Sequence, residues 1–376
     1  MSLGNPLGNP LGNPLGVARF GGTSGAVIGD IRLFPSDPGS KYLPADGRQV
    51  LQADYSKLFT AIGHAYSPMA GLSSTQRTLP VSASWQSVTY GNGLFVAVAQ
   101  GSTIAATSPD GITWTQRSMP VSANWRSVTY GNGLFVAVAQ GDTIAATSPD
   151  GITWTRRALP VSATWQSVTY GNGLFVAVTQ GDTIAATSPD GITWTRRALP
   201  VSATWQSVTY GNGLFVAVTQ GDTIAATSPD GITWTRRALP VSATWQSVTY
   251  GNGLFVAVAA STATATAATS PDGITWVQVA LPVSASWFVT YGEGLFVAVA
   301  ANNVAATSPD GITWTQRILS VSANWQSVTY GNGLFVAVAS GPSTTAATMQ
   351  KTYSATTFGL PDLWASYPLN TYIKVA

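Results

Sequence analysis

Along most of this chain the apolar and polar positions follow one pattern that keeps returning. The string Trp-Gln-Ser-Val-Thr-Tyr-Gly-Asn-Gly-Leu-Phe-Val-Ala-Val starts, with small variations, at Trp85, Trp125, Trp165, Trp205, Trp245, Trp287 and Trp325. Its period is 40 residues, stretched once to 42 by an Ala/Thr-rich insertion around Ser261 to Thr266 and followed by one unit of 38. A second string, Ser-Pro-Asp-Gly-Ile-Thr-Trp, follows in six units, with its aspartates at Asp110, Asp150, Asp190, Asp230, Asp272 and Asp310. Each unit reads as four short strands: Ser-Val-Thr-Tyr, Leu-Phe-Val-Ala-Val, Ile-Ala-Ala-Thr and Ile-Thr-Trp-Thr-Arg-Arg. The separators Gly-Asn-Gly, Gln-Gly-Asp and Pro-Asp-Gly are turn residues that tolerate positive φ. Four-stranded units of about 40 residues predict propeller blades. The second strand is apolar on both faces, as a blade sandwiched between two neighbours requires.

The count of strands predicts how the ring closes. Seven first-and-second-strand pairs stand against six complete fourth strands, because the sequence leaves the repeat after Ala346-Ala347-Thr348. The missing strand lies before the array, where Ser67 to Pro80 aligns, with one extra residue, to Ser108 to Pro120. The expected fold is therefore mainly β: a seven-bladed β-propeller over residues 67–349, whose last blade takes three strands from the C-terminal end and one from the N-terminal end. Such closure leaves only short protected edges. The repeats resemble the Asp-box propellers, whose turn between third and fourth strands is Ser-x-Asp-x-Gly-x-Thr-Trp. Here Ser148-Pro149-Asp150-Gly151-Ile152-Thr153-Trp154 is one residue shorter between Asp and Gly.

Closure brings the two ends of the array together, the condition for insertion of one domain into another. The flanks, 27–66 and 350–376, contain Ile28 to Phe34, a Tyr42-Leu43-Pro44-Ala45-Asp46-Gly47 turn, and a helix with Asp54 as N-cap, a Tyr55, Leu58, Phe59 and Ile62 stripe and Gly63 as its stop. After the array come Thr357-Phe358-Gly359-Leu360-Pro361-Asp362-Leu363 and a strand-like Asn370 to Val375. In order, Leu43 to Gly47, Ile62 to Tyr66 and Thr357 to Leu363 resemble the phage tail-collar domain family. The propeller replaces that family's short loop, and Trp364-Ala365-Ser366 stands where a basic Arg-Gly-Arg is usual. The resemblance implies a small discontinuous α+β collar-like domain and a fibre or adhesin subunit at the end of a virus tail, made in the host cytoplasm and assembled as a homotrimer. Residues 1–26 open with Leu-Gly-Asn-Pro three times over, from Leu3 to Pro14, an extended segment that proline and glycine keep from packing alone. It reads either as a linker or as a docking peptide for other tail or baseplate proteins.

Composition narrows the function classes. Only 9% of the 376 residues are charged, against roughly 25% in ordinary globular proteins, which disfavours helical bundles. The net charge is +2 without a basic run, so no nucleic-acid footprint is visible. Zero cysteines exclude disulfides and thiolate metal sites, and no cofactor is implied. No apolar run reaches the roughly 18 residues of a membrane span, and the first residues lack the pattern of a cleaved signal.

Catalysis is the weaker reading. Asp-box propellers resemble sialidases, which need an arginine cluster, a Tyr/Glu pair and an aspartate converging from different blades. This chain has one histidine, His64, in the flank, and one glutamate, Glu293, in a turn on the face opposite the usual propeller binding face. The abundant carboxylates occupy equivalent positions in near-identical surroundings, whereas glycosidic chemistry needs two carboxylates in unlike ones. A polysaccharide hydrolase therefore stands only as a third alternative. The Asp-box aspartates are expected to cap backbone amides. The Arg156-Arg157, Arg196-Arg197 and Arg236-Arg237 pairs are expected on the outermost strand, where charge blunts edge pairing. The remaining candidates share one rim: Trp85, Trp125, Trp165, Trp205, Trp245, Trp287 and Trp325 with Gln140, Asp142, Gln180, Asp182, Gln220 and Asp222. An indole beside amides and carboxylates is how proteins hold sugars, so these residues are candidates for a host surface polysaccharide or lipopolysaccharide. The alternative is that the tryptophans wedge between blades. The runner-up reading for the whole chain, after an adhesin that binds such carbohydrate multivalently, is a structural tail or baseplate component, its propeller a spacer or docking disc.

Overall fold

A computed structural model describes residues 19–20, 31–34, 42–45, 48–62, 64, 67, 69–260, 265–353, 355–360 and 370–374. Of the expected N-terminal segment 1–26 all but Arg19–Phe20, together with the Ala/Thr insertion at 261–264 and residues 361–369, lies outside the described residues. The chain divides into two compact units, Ser73–Gln350 and the paired flanks Met1–Leu72 with Lys351–Ala376. The boundary falls six residues later than Ser67 at the first junction. The reason is local: Ser67 Oγ accepts the Gly359 N–H at 2.9 Å and sits 3.0 Å from His64 Nδ1, both within the flanking unit.

The large unit is a mainly β, propeller-like fold. Trp287–Gly292, Leu295–Ala300, Asn302–Ser308 and Thr315–Ala323 show one repeat by itself, as a four-stranded antiparallel sheet in sequence order. Elsewhere the fourth strand of one repeat runs on without a break into the first strand of the next, as in Thr155–Gly171 and Thr195–Gly211. The connector Val-Ser-Ala-Thr, outside the four strands read from the sequence, is thus extended backbone in those repeats. It keeps a ladder pairing, Ala163 to Asp142 and Thr164 to Gln140, that a loop would have left to water. The fourth strand starts later than expected, at Thr155 and its equivalents, because Ile152-Thr153-Trp154 belongs to the Asp-box turn.

Two features fix how neighbouring repeats meet. First-strand serines accept the next repeat's backbone through their side chains: Ser127 Oγ from Val168 N at 3.1 Å, Ser167 Oγ from Val208 N at 3.2 Å. The last repeat makes the same bond to the first, Ser327 Oγ accepting from Val88 N at 3.1 Å. Glycines at the ends of these strands admit a neighbouring ring. A Cβ on Gly171 would lie 2.0 Å from Tyr210 Cγ, and one on Gly331 would lie 2.0 Å from Tyr90 Cγ. Between repeats, the valines and alanines of one second strand pack on the Trp, Phe and Ala residues of the next, for example Val136 and Val138 against Trp165 and Phe175. Val336 and Val338 pack in the same way on Trp85 and Phe95.

The segment aligned from the N-terminal side behaves as a fourth strand. Gly71–Gly91 pairs with Ser343–Thr352, and Arg77 Nε donates to Thr348 Oγ1 at 3.0 Å. This repeats the bond from Arg157 Nε to Thr147 Oγ1, also 3.0 Å. Leu79 is buried like its equivalent Leu159. Strand pairing does not run round the whole set, since the sheet of Trp287–Ala323 is separate from the remaining strands.

In the flanking unit Arg19–Phe20, Ile31–Phe34, Asn370–Lys374 and Tyr42–Pro44 form one sheet in that order, and Gln49–Leu51 pairs with Thr357–Gly359. The helix spans Ser56–Ile62, two residues past Asp54, with Tyr55 O accepting from Phe59 N at 2.9 Å. Asp54 thus precedes the cap position expected of it. Leu58, Ile62, Phe358, Leu360 and Ile373 make the core, with Leu43, Val50, Tyr55 and Phe59 against it. His64 stacks on Tyr353 at a centroid distance of 4.7 Å, a packing role.

Candidate functional site

Because the strands of each repeat alternate in direction, its turns gather at two ends. One end carries the Asn-Gly turn between first and second strands and the Asp-box turn between third and fourth. The other carries the Gln-Gly-Asp turn and the connector into the next repeat.

At the first end the Asp-box carboxylates are occupied by their own turns. Asp190 Oδ1 accepts from Ile192 N at 2.9 Å, Thr193 N at 2.8 Å and Ser188 Oγ at 2.9 Å. Asp110, Asp150, Asp230, Asp272 and Asp310 repeat the arrangement. The Thr193 and Ile192 amides hold the Asp190 carboxyl below the usual carboxylate range, since they bond only its charged form well. The following indole closes the turn, Trp194 Nε1 donating to Gly191 O at 3.0 Å. Asn172 (φ 48°) and Gly173 (φ 75°) take the left-handed conformations of a tight hairpin turn. Asn172 Nδ2 then reaches Pro229 O of the next repeat's Asp-box turn at 3.4 Å, and Asn332 Nδ2 reaches Pro109 O at 3.5 Å. Beside the exposed Pro, Asp and Thr of these turns, this end also leaves one isoleucine per Asp-box turn to solvent. Ile112, Ile152, Ile192, Ile232 and Ile274 are 43–44% exposed and Ile312 is 56% exposed, in equivalent positions.

At the second end the structure corrects the expected sugar platform. Trp85, Trp125, Trp165, Trp205, Trp245 and Trp287 are 0% exposed and Trp325 is 1% exposed. No indole face is open to a ligand. Five of the seven also give their N–H to backbone carbonyls, as Trp165 to Val161 O at 3.3 Å and Trp325 to Asn302 O at 3.0 Å. The physical reason is the packing between repeats: a large apolar side chain at the start of the first strand is the plug of each interface. Gln140, Gln180 and Gln220 are half-buried, and Gln180 Oε1 accepts from Gln166 Nε2 at 2.6 Å. Asp142, Asp182 and Asp222 are exposed, each capping the amide one residue on, as Asp142 Oδ1 does for Thr143 N at 2.6 Å. The structure therefore places the aspartates on a solvent rim and takes the tryptophans out of it.

Sequence reasoning passed over two features. One is the exposed isoleucine of each Asp-box turn, concealed inside a string read as structural. The other is Arg126, the one residue that departs from glutamine at its place in the repeat. It donates through Nε to Gln166 Oε1 at 2.8 Å and through Nη1 to Gln86 Oε1. Among the described residues no group of three or more His, Cys, Asp or Glu side chains is placed to hold a metal. No helix among them is long and apolar enough to cross a membrane.

Fold and repeat geometry define a β-propeller. The family profile of the DUF6242 beta propeller domain matches residues 121–245, about a third of the chain. Among solved structures, a streptogramin B lyase superposes with a TM-score of 0.68 at 12% identity, covering 75% of this chain and 98% of its own. Virginiamycin B lyase from Staphylococcus aureus gives 0.68 at 10% identity over 75% and 100%. A YCF48 bound to D1 peptide gives 0.61 at 15% identity over 76% and 100%. At these identities the likeness is one of fold. No curated protein matches in sequence.

Proposed function

We propose that this chain is a non-enzymatic virion tail subunit in which a seven-bladed propeller, closed by its N-terminal strand, serves as a rigid docking disc carried by a collar-like domain. The observation that carries the reading is the repeated exposed isoleucine at one end. Each of the six repeats with an Asp-box turn spends its carboxylate, serine and indole within that turn and presents the same isoleucine outward. Repeated exposed apolar groups on a stiff support are the chemistry of a protein-docking surface. Closure is supported by bonds that join the last repeat to the first as they join internal neighbours, among them Ser327 to Val88 and Asn332 to Pro109. The tail assignment is supported by the collar resemblance and by the pairing of the flanks, Gln49–Leu51 with Thr357–Gly359, in one small core.

The absence of catalysis is argued from the residues. A His-to-Ala variant of virginiamycin B lyase has been solved as catalytically inactive, and here the one histidine, His64, lies outside the repeats. Carbohydrate attachment stands as a second reading, favoured by the exposed Asp142, Asp182 and Asp222 in identical settings; weak sites repeated around a ring can gain about 10² to 10⁴ in apparent affinity. Antibody raised against residues 73–350 tests the location. Gold label at the tail end of virions is the expected result; unlabelled virions from a lysate that contains the protein would reject the tail assignment. Reducing-end release from envelope polysaccharide would reject the non-enzymatic one.

A further inference from the structure

In five repeats the residue after the first-strand tryptophan is glutamine, and in the Trp125 repeat alone it is Arg126. The place is a special one in the backbone. Trp125 pairs with Ala139 and Ser127 with Val138, so Arg126 is the extra residue of a β-bulge, opposite no partner. A bulge turns its side chain out of the alternation and aims it where a regular strand would not. The Trp287 repeat shows the same point in reverse: it is one residue shorter here, Phe288 pairs directly with Val299, and the bulge is gone.

Arg126 lies along the belt of amides rather than against a counter-charge. Its guanidinium donates to the Oε1 atoms of Gln86 and Gln166, one repeat away on either side. Both amides are buried, at 7% and 6% exposure, and their nitrogens are turned to other acceptors, Ser84 Oγ and Gln180 Oε1. Among the described residues no carboxylate is paired with the guanidinium. Burial with no opposing charge pushes its pKa down from the ordinary arginine value. A partly buried cation held by neutral oxygens alone is costly, and two of its five N–H donors are engaged by those oxygens. The others form the planar fork that suits an oxyanion bidentately.

We propose that Arg126, held in place by Gln86 and Gln166, is a single-copy binding site for an oxyanion, the carboxylate or phosphate group of a ligand. The site goes beyond the docking disc, does not depend on a virion location, and occurs once per chain rather than once per repeat. Calorimetric titration of the full chain with sodium glucuronate and with inorganic phosphate, against sodium chloride at equal ionic strength, tests it beside Arg126→Gln. That variant installs the residue the other repeats already carry, so its fold is provided for. Expected are saturable binding of one glucuronate or one phosphate per chain, at least about tenfold weaker in R126Q, and an R126Q melting temperature without ligand equal to or above the parent's. Glucuronate alone would mark a carboxylate ligand, and phosphate would mark a phosphorylated one. No saturable binding of either anion, binding undiminished in R126Q, or collapse of the R126Q melting temperature would each overturn the proposal, the last by making the guanidinium a structural strut.

Discussion

Substituting one glycine measures whether the last repeat really abuts the first. A Cβ on Gly331 would lie 2.0 Å from Cγ and 2.4 Å from Cδ1 of Tyr90. Ordinary carbon contacts are about 3.5–4.0 Å, so an alanine there fits only if the ring retreats. Retreat of Tyr90 is resisted on one side, since its ring is tilted against Phe95 at 4.6 Å and Phe95 is fully buried. The expected cost of Gly331→Ala is that of overpacking, about 1–3 kcal/mol. At about 2–4 °C per kcal/mol for a unit of this size, the melting temperature should fall by several degrees. Gly171→Ala is the internal control, because Tyr210 stands over Gly171 at the same 2.0 Å and is backed by Phe175 at 4.7 Å. Neither glycine has a positive φ, so no backbone strain enters. Without the neighbouring ring, Gly→Ala would instead stabilise by about 0.4–1 kcal/mol through the unfolded chain. The two alternatives thus differ in sign. Scanning calorimetry of both variants should show matching decreases. A G331A protein as stable as the parent or more so, beside a destabilised G171A, would refute the closed ring.

Other outcomes follow from the same contacts. Trp165→Ala, Trp205→Ala and Trp245→Ala should each cost about 3–5 kcal/mol in thermal or denaturant melts, because each removes a fully buried indole; normal stability of the triple variant would contradict its burial. Asp142→Asn, Asp182→Asn and Asp222→Asn together should leave melting within about 1 kcal/mol, and loss of cell attachment by that folded protein would favour the carbohydrate reading. Ile152→Ser, Ile192→Ser and Ile232→Ser should leave melting unchanged and reduce incorporation into virions; undiminished incorporation would remove the docking role of that end. The Asp-box carboxyls have folded pKa values below the unfolded value of about 3.9, so their contribution is complete above that pH and lost as pH falls through the folded values. Melting temperature should therefore hold level near neutrality and drop below about pH 4, with Asp190→Asn flattening part of the drop; melting unchanged from pH 7 to 2 would rule the linkage out.

The repeat, its strands and the Asp-box caps were legible because each has a local cause. Period, turn glycines and the apolar second strand are properties of short strings. The N-terminal supply of the missing strand was legible by counting, and Arg77 and Leu79 take the positions that the alignment to Arg117 and Met119 assigned. Burial of the tryptophans was not legible. They follow a polar stretch, Val-Ser-Ala-Thr, and whether such an indole faces solvent depends on how closely the next repeat approaches. That approach is set by Gly-to-Tyr contacts between successive repeats, as between Gly171 and Tyr210. The connector strands were missed for a related reason, since their pairing with Asp142 and Gln140 is made across a register shift. The bulge did leave a trace in the sequence. The Trp287 repeat has one residue fewer between its tryptophan and its valine, and that residue is the bulge.

Near-identity of repeats limits what kind of binding this molecule can perform, and stoichiometry separates the kinds. Equivalent residues in equivalent settings present the same potential many times over, so a ligand that reads Ile152 or Asp142 must meet the same chemistry at Ile192 or Asp182. Such binding is multivalent by construction, and its strength resides in the number of repeats engaged. A ligand bound once per chain must instead read a departure from the repeat. The described departures at the strand ends include Arg126 in the amide belt, Phe288 where the bulge is lost, Glu293 (φ 49°) in place of the turn asparagine and Asn302 (φ 69°) in place of a turn glycine. Of these only Arg126 brings a charge into a partly buried setting without an opposing one. A measured ratio near one ligand per chain therefore points to Arg126, and a ratio that falls in steps as repeats are altered points to the isoleucine or aspartate ends.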